Sequence, residues 1–380
     1  MSNFDKHIDR QKTGAVKWDI YKGGDALPMW VADMDFLSPP EIIKSLAERS
    51  EHGVFGYTWQ TDELVETILS RLKDLYNWDV NLEWLIWLPG LVSGLNVACR
   101  AIGEPGDEVL TSVPIYPPFL SAPKNQDRVL CKFPMIQNGD SWEIDFDAFE
   151  KAVTDRSKLF ILCNPHNPLG RIFNRDELLA IAEICEKNDL VICSDEIHCD
   201  LLLDDDKAHI PTASLSPEIA DRTMTFMAPS KTFNIAGLGL SFAVISNKKL
   251  RTKFQRAMQG IVPHPNLFGY TAALAAYKYG GDWLDDLLDY LRINRDIVYQ
   301  RINAMPGLAT THVEATYLAW IDGREMPVDN VHSFFEKAGV GLSNGNDFDA
   351  KECVRLNFGC PREMLEEALT RMERAIEKIN

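Results

Sequence analysis

The chain is short of cations. Its 380 residues hold 39 lysines and arginines against 56 aspartates and glutamates, a formal net charge of −17. A nucleic acid or an anionic membrane needs a basic face, so neither is an expected partner. Long apolar runs are missing too, and nothing approaches the roughly 18 residues that span a bilayer. The opening stretch, MSNFDKHIDR, has neither the apolar core of a secretory signal nor the arginine- and serine-rich pattern of a transit segment. Eight cysteines, at 99, 131, 163, 185, 193, 199, 353 and 360, form no pair at CxxC spacing. That removes zinc and thioredoxin-like motifs, and no metal site is expected. Several, such as Cys163 in LFILC, read as small core residues. With no disulfide framework, the expected compartment is the reducing cytoplasm. No GxGxxG follows a strand, which disfavours a dinucleotide reductase.

Hydrophobic residues make up 46% and charged residues 25%, ordinary for a globular protein, and the length exceeds what one core usually serves. The middle alternates short apolar runs with helical patterns, the mark of an α/β domain. DEVLTSV (107–113), KLFILC (158–163), DLVICSDE (189–196), RTMTFMA (222–228) and SFAVIS (241–246) fit buried strands of a largely parallel sheet. Between them, Asn174 and Glu177 make a capping-box pattern, and Leu91, Leu95, Ala98 and Ile102 share one helical face. An amphipathic helix starts at Thr61 and another closes the chain; TYLAWID and CVRLNF read as strands of a second, smaller sheet. The expectation is a large α/β domain over 45–275. A smaller α+β lobe is expected from 1–44 and 276–380, the first of these being an N-terminal arm.

Ligands of α/β sheets gather beyond the carboxyl ends of strands. Lys231 follows one such run in MAPSKTFNIAG, with no acid within three positions. A lysine past a strand is ordinarily a solvated loop residue. Asp195, Glu196 and His198 follow another, where an acid equally caps a helix or binds a metal. CNPHNPLGR presents Asn164 and Asn167 in a rigid turn. Gly90 opens a helix with no acid in its first turn, which suits a phosphate or is simply a glycine before a helix. Tyr116 ends the run DEVLTSV. Taken together, the set matches the needs of pyridoxal 5'-phosphate. The lysine amine forms a Schiff base with the aldehyde, the carboxylate keeps the ring nitrogen protonated, the amide binds the phenolic oxygen and the helix start holds the phosphate. An aromatic side chain stacks on the ring.

NPHNPLGR, SDEIHCDL and APSKTFNIAGL, in this order, resemble the class I/II aminotransferase superfamily, fold type I of the pyridoxal-phosphate enzymes. LPMWVADMDF, FGYT, PIYPPF and RLNFGCP resemble its MalY/PatB-type group of cystathionine β-lyases and cysteine-S-conjugate β-lyases. The resemblance implies a large domain on a mostly parallel seven-stranded sheet. It implies that Lys231 carries the cofactor and moves the α-proton, that Asp195 pairs with the ring nitrogen and Asn167 with the ring oxygen, and that His198 stands where many relatives have a tyrosine. Tyr116 stacks on the ring, Leu91 and Val92 offer backbone amides to the phosphate, and Arg355 grips the substrate α-carboxylate. Trp30 lines the substrate pocket. Tyr57 reaches the phosphate of a neighbouring subunit, implying a homodimer with shared sites. Aspartate-type relatives carry a phosphate-binding arginine eight residues after the lysine, and a serine three before it. This chain has Gly239 and Ala228 there, so Ser230, Tyr57 and the helix start carry more of that load.

β-Elimination and transamination share these residues. MQGIVPHPNLF (258–268) offers no cation for a dicarboxylate, and Trp30, Tyr116 and Tyr317 suggest an uncharged, aromatic pocket. The expected activity is β-elimination from L-cystathionine or related cysteine S-conjugates, giving a thiol, pyruvate and ammonia. The alternative is an aminotransferase for neutral or aromatic amino acids. The acidic run LLLDDDKAH (201–209) reads as a solvated loop.

Overall fold

Apolar residues alternate along the strands, and the alternation is what builds three layers. In the computed structural model, which describes residues 3–379, Val109, Leu159, Ile161 and Cys163 face one buried cluster while Leu110, Phe160 and Leu162 face another. The strands are β1 (Leu85–Leu88), β2 (Glu108–Val113), β3 (Val129–Asn138), β4 (Ser141–Ile144), β5 (Ser157–Cys163), β6 (Val191–Asp195), β7 (Thr223–Met227) and β8 (Ser241–Val244). Their spatial order is β1-β8-β7-β6-β5-β2-β3-β4. The β2–β3, β2–β5, β5–β6 and β6–β7 pairs are parallel; β8 runs against both neighbours, and β4 against β3.

The sheet therefore has eight strands where seven were expected. The eighth, β4, is the return arm of a hairpin on the sheet's edge. Asn138 pairs with Ser141, so its two-residue turn is Gly139-Asp140, and Gly139 sits at φ +59°. A glycine at the first central position is what such tight hairpin turns favour.

Helices Leu91–Ala101, Pro117–Asn125 and Lys248–Met258 cover one face through Leu91, Leu95, Ala98, Phe119 and Phe254. Helix Arg175–Lys187 covers part of the other through Leu178 and Ile181, beside Phe133 and Phe160. It starts with a complete capping box between Asn174 and Glu177. Helix Asp62–Tyr76 begins where Thr61 accepts from the Leu64 N–H at 3.2 Å, and it buries Leu64, Ile68 and Leu72 against Phe242 and Tyr270.

A second sheet is antiparallel: β9 (Ala309–Thr310), β10 (Leu318–Asp322), β12 (Cys353–Asn357) and β11 (Ser343–Asn344), in that spatial order. Helices Gly281–Ala304 and Arg362–Glu377 pack on it through Leu287, Leu291, Leu365 and Leu369. The N-terminal arm joins this part: Leu27–Pro28 pairs in parallel with Val340–Gly341. Two cations pin the arm. Lys17, 1% exposed, meets Asp35 at 2.7 Å, and Arg10 bridges Asp33 and Asp35 at 2.8 Å each. Residues 1, 2 and 380, at the ends of the expected smaller lobe, lie outside the described residues.

The acidic run at 201–209 is not simply solvated. Leu201 and Leu203 are buried, Asp204 pairs with Arg295 at 2.6 Å, and His209 is buried against Glu196 at 2.8 Å. Leucines two apart put one face of the run into the core, while the acids meet arginines from helix Gly281–Ala304. Among the described residues no helix is long and apolar enough to cross a membrane.

Candidate active site

β1, β2, β5, β6 and β7 point the same way, so their carboxyl ends share one edge of the sheet. Each of these ends delivers a candidate. β1 leads through Gly90 to the start of helix Leu91–Ala101, β2 to Tyr116, and β5 to Asn164 and Asn167. Asp195 is the last residue of β6, and Lys231 lies four past β7. Backbone bonds stitch these ends together: Tyr116 N–H donates to the Asn167 carbonyl at 3.1 Å, and Asn164 N–H to the Asp195 carbonyl at 3.0 Å. From the second sheet, β12 brings Arg355. Its Nη1 donates to Asn167 Oδ1 at 2.9 Å, and its Nη2 to the Trp30 carbonyl at 2.8 Å and Ser343 Oγ at 3.1 Å.

Burial governs the electrostatics. It raises the Asp195 carboxyl to about 7; the Ile197 N–H, at 3.1 Å, opposes the rise, Glu196 adds to it and Lys231 opposes it. Burial likewise lowers the Lys231 amine to about 8, with Asp33 resisting, Arg355 adding to the fall and Asp195 resisting. Burial, then Lys231 and Arg355, take His198 down to about 3, so its ring is neutral at pH 7. Burial pushes the Tyr116 hydroxyl up. Arg355 is 4% exposed and its guanidinium falls to about 10, because burial costs its charge and no carboxylate pairs with it among the described residues.

The structure thus brings together Lys231, Asp195, Asn167, His198, Tyr116 and Arg355. Trp30 joins them through its backbone carbonyl, while its indole N–H turns to the Lys17 carbonyl at 3.0 Å. Leu91 is buried at the helix start and Val92 is half exposed. The Ser230 carbonyl accepts from the Ile235 N–H at 3.0 Å, and its hydroxyl makes no hydrogen bond among the described residues. Tyr57 is not in the cluster: it stands fully exposed in a stretch that is neither helix nor strand.

Gly239 explains the missing arginine. It adopts φ +62°, and a Cβ there would lie 3.3 Å from the Pro89 carbonyl. A side chain is strained at this position, so the backbone packs against the residue before Gly90 instead. Ala32, Asn234 and Asn357 were not singled out in the sequence, and Tyr317 only as an aromatic of the pocket. The Lys231 amine donates to the Ala32 carbonyl at 2.5 Å, and Tyr317 donates to the same oxygen at 3.0 Å. Asn234 and Asn357 tie down the surrounding arm. Both lie in motifs singled out for other residues, and polar residues inside such motifs were the available signal.

Residues 27–372 match the family described as aminotransferase class I and II. The chain belongs to that family. Among curated proteins, cystathionine beta-lyase PatB of Bacillus subtilis (strain 168) is 38% identical over 386 residues, covering 98% of this chain and all of PatB. Among solved structures, one of OvoB superimposes with a TM-score of 0.96 at 46% identity, covering 98% of this chain and 99% of that one. Cystalysin from Treponema denticola, with its pyridoxal 5'-phosphate, superimposes at 0.96 with 34% identity over the full length of both chains. The chain is a fold type I enzyme of the MalY/PatB-type carbon–sulfur β-lyase group, and its cofactor is pyridoxal 5'-phosphate.

The cluster fits that cofactor. Among the described residues, His198 Nδ1 and Thr225 Oγ1 are buried without partners, and Asn167 commits its oxygen to Arg355 while its Nδ2 makes no hydrogen bond. A buried carboxylate, a spare amide donor and a primary amine are the donor set that a protonatable ring with an aldehyde and a phenolic oxygen requires.

Proposed function

We propose that the chain cleaves the Cβ–S bond of L-cystathionine or a related cysteine S-conjugate, releasing a thiol, pyruvate and ammonia, in a homodimer whose sites are shared between subunits. The observation that carries this reading is Arg355. It is a buried cation without a carboxylate partner among the described residues, in a cluster whose only other charging cation is Lys231. One fixed guanidinium suits one α-carboxylate. A second carboxylate, as in glutamate, finds no third cation there, whereas a thioether tail needs none.

Pyridoxal phosphate, when bound, supplies an aldehyde carbon for the substrate amine and a ring that accepts the electron pair left at Cα. Asp195 holds a proton on the ring nitrogen; at about 7 its carboxyl shares that proton readily, and a cationic ring nitrogen beside it favours the carboxylate. Asn167 would donate to the phenolic oxygen, and Tyr116 would supply the aromatic side chain beside the ring. Leu91 and Val92 present backbone N–H groups, and Ser230 its hydroxyl, to the phosphate. Arg355 orients the substrate so that its Cα proton faces the Lys231 amine, which removes it. With its amine near 8, Lys231 exchanges a proton close to neutral pH. Trp30 closes the pocket over Arg355. Tyr57 adds its hydroxyl to the phosphate site of the partner copy. Eight thiols, none in a disulfide, support a reducing cytoplasmic setting. The test is pyruvate release from L-cystathionine without any keto acid; a protein that only exchanges amino groups will not sustain it.

A further inference from the structure

If Lys231 is the base, its amine needs somewhere to rest whenever it is not joined to the cofactor. The geometry offers one seat. The Ala32 carbonyl accepts from Lys231 Nζ at 2.5 Å and from the Tyr317 hydroxyl at 3.0 Å. This peptide is held from both sides. Asn357 Nδ2 donates to the carbonyls of Val31 at 2.6 Å and Asp33 at 2.7 Å, so both flanking oxygens are taken. Asn234, three residues after Lys231, accepts from the Met34 N–H and donates to the Met34 and Phe36 carbonyls, each at 2.9 Å. The arm and the lysine turn therefore move as one piece. Asp33 is fixed by Arg10 at 2.8 Å. Tyr317 is 1% exposed and follows Thr316, a β-branched residue held at φ +75°. Such a conformation is costly and persists only where its surroundings demand it.

We infer that Tyr317 and Asp33 are positioning residues for the base: they set, in opposite directions, how firmly the Ala32 carbonyl holds the amine of Lys231. The inference rests on the role proposed for Lys231 above. A carbonyl oxygen has two lone pairs, and Tyr317 occupies one. An ammonium group is a donor only, so it gains more from the seat than a neutral amine does. The seat thus favours the amine after it has taken the α-proton. A second donor on the same oxygen weakens its pull on the first, so Tyr317 loosens the grip and lets the proton return. The Asp33 carboxylate tightens it by charge. The other groups facing the amine are Asp195 and His198 beyond the end of β6 and Arg355 on β12. Arg355 is cationic and His198 neutral, so Asp33 and Asp195 are the two that favour the ammonium.

The experiment labels the full-length chain, freed of cofactor, with dinitrofluorobenzene between about pH 6 and 10, and follows the Lys231 peptide by mass spectrometry. Tyr317→Phe is expected to raise the midpoint of the labelling rate by about half a pH unit, and Asp33→Asn to lower it by about as much. In the holoenzyme the acid limb of kcat, which reports the base in the substrate complex, moves in the same two directions. A merely structural defect lowers amplitudes and leaves midpoints in place. Unmoved midpoints, or both moved the same way, overturn the inference. Should Tyr317→Phe fail to fold, an unmoved midpoint in Asp33→Asn is enough to overturn it. If the lyase reading is what fails, pyruvate is absent while the labelling midpoints still shift.

Discussion

The strand-end cluster and the segment at 53–60 treat their aromatic and polar groups in opposite ways. At the strand ends, Asp195, His198 and Arg355 are each at most 5% exposed, and backbone groups bond the Asp195 carboxylate and the Arg355 guanidinium. In the segment, Val54, Phe55, Tyr57 and Trp59 are 61%, 58%, 112% and 68% exposed. Its internal support is thin: Phe55 leans on Phe268 with ring centres 5.9 Å apart, and Trp59 meets His264 edge-on at 4.8 Å. Four large side chains in six residues carry a hydration cost that a second surface would remove. The contrast teaches that one chain assembles the proton-handling end of the site alone, whereas the exposed segment around Tyr57 is where the proposed partner copy would be engaged.

The strongest attack on the self-sufficient half is Lys231→Ala. Turnover should fall by about a thousandfold or more, since cofactor tether and base go together, while circular dichroism stays unchanged. Arg355→Lys keeps the charge but loses the fork that reaches Asn167, Trp30 and Ser343. KM for L-cystathionine should rise about 10- to 100-fold, with a smaller change in kcat. The proposed sharing of sites between subunits is tested by mixing two weak variants, Tyr57→Ala and Lys231→Ala, through reversible unfolding. Each hybrid dimer would contain one intact site, so activity should recover to about a quarter of the parent's. No recovery would mean that Tyr57 serves its own subunit or none. The smallest effect concerns the arm. Burial raises the Asp35 carboxyl, but Lys17, Trp18 and Arg10 outweigh it and hold the group below its usual range. Its stabilisation is then present at neutral pH and is lost as pH falls through the lowered value. Thermal melts should show the parent losing stability below about pH 4, and Asp35→Asn losing less over the same interval.

The central strands were legible because both their faces are buried, so each reads as an unbroken apolar run between turns. The residues at their ends were legible for the same reason: Lys231, Asp195 and Asn167 all fall within four residues of where such runs stop. The edge was harder. β3 alternates exposed and buried positions, and β4 is four residues long, so neither stands out from a loop except through the turn at Gly139-Asp140. His209 looked like a loop residue because its burial depends on Glu196, and no local pattern records a pairing thirteen residues apart. The seat of the Lys231 amine was the least visible. It is made by a main-chain oxygen at Ala32, and a side-chain alphabet does not encode which carbonyls remain free.

The account turns on what the site does with a sulfur-bearing substrate. The purified holoenzyme, given L-cystathionine with no keto acid, should release pyruvate and ammonia in equal amounts over many turnovers. A single turnover that stops with the cofactor in its amine form, and resumes only when a keto acid is added, would contradict it and make the protein an aminotransferase on the same residues.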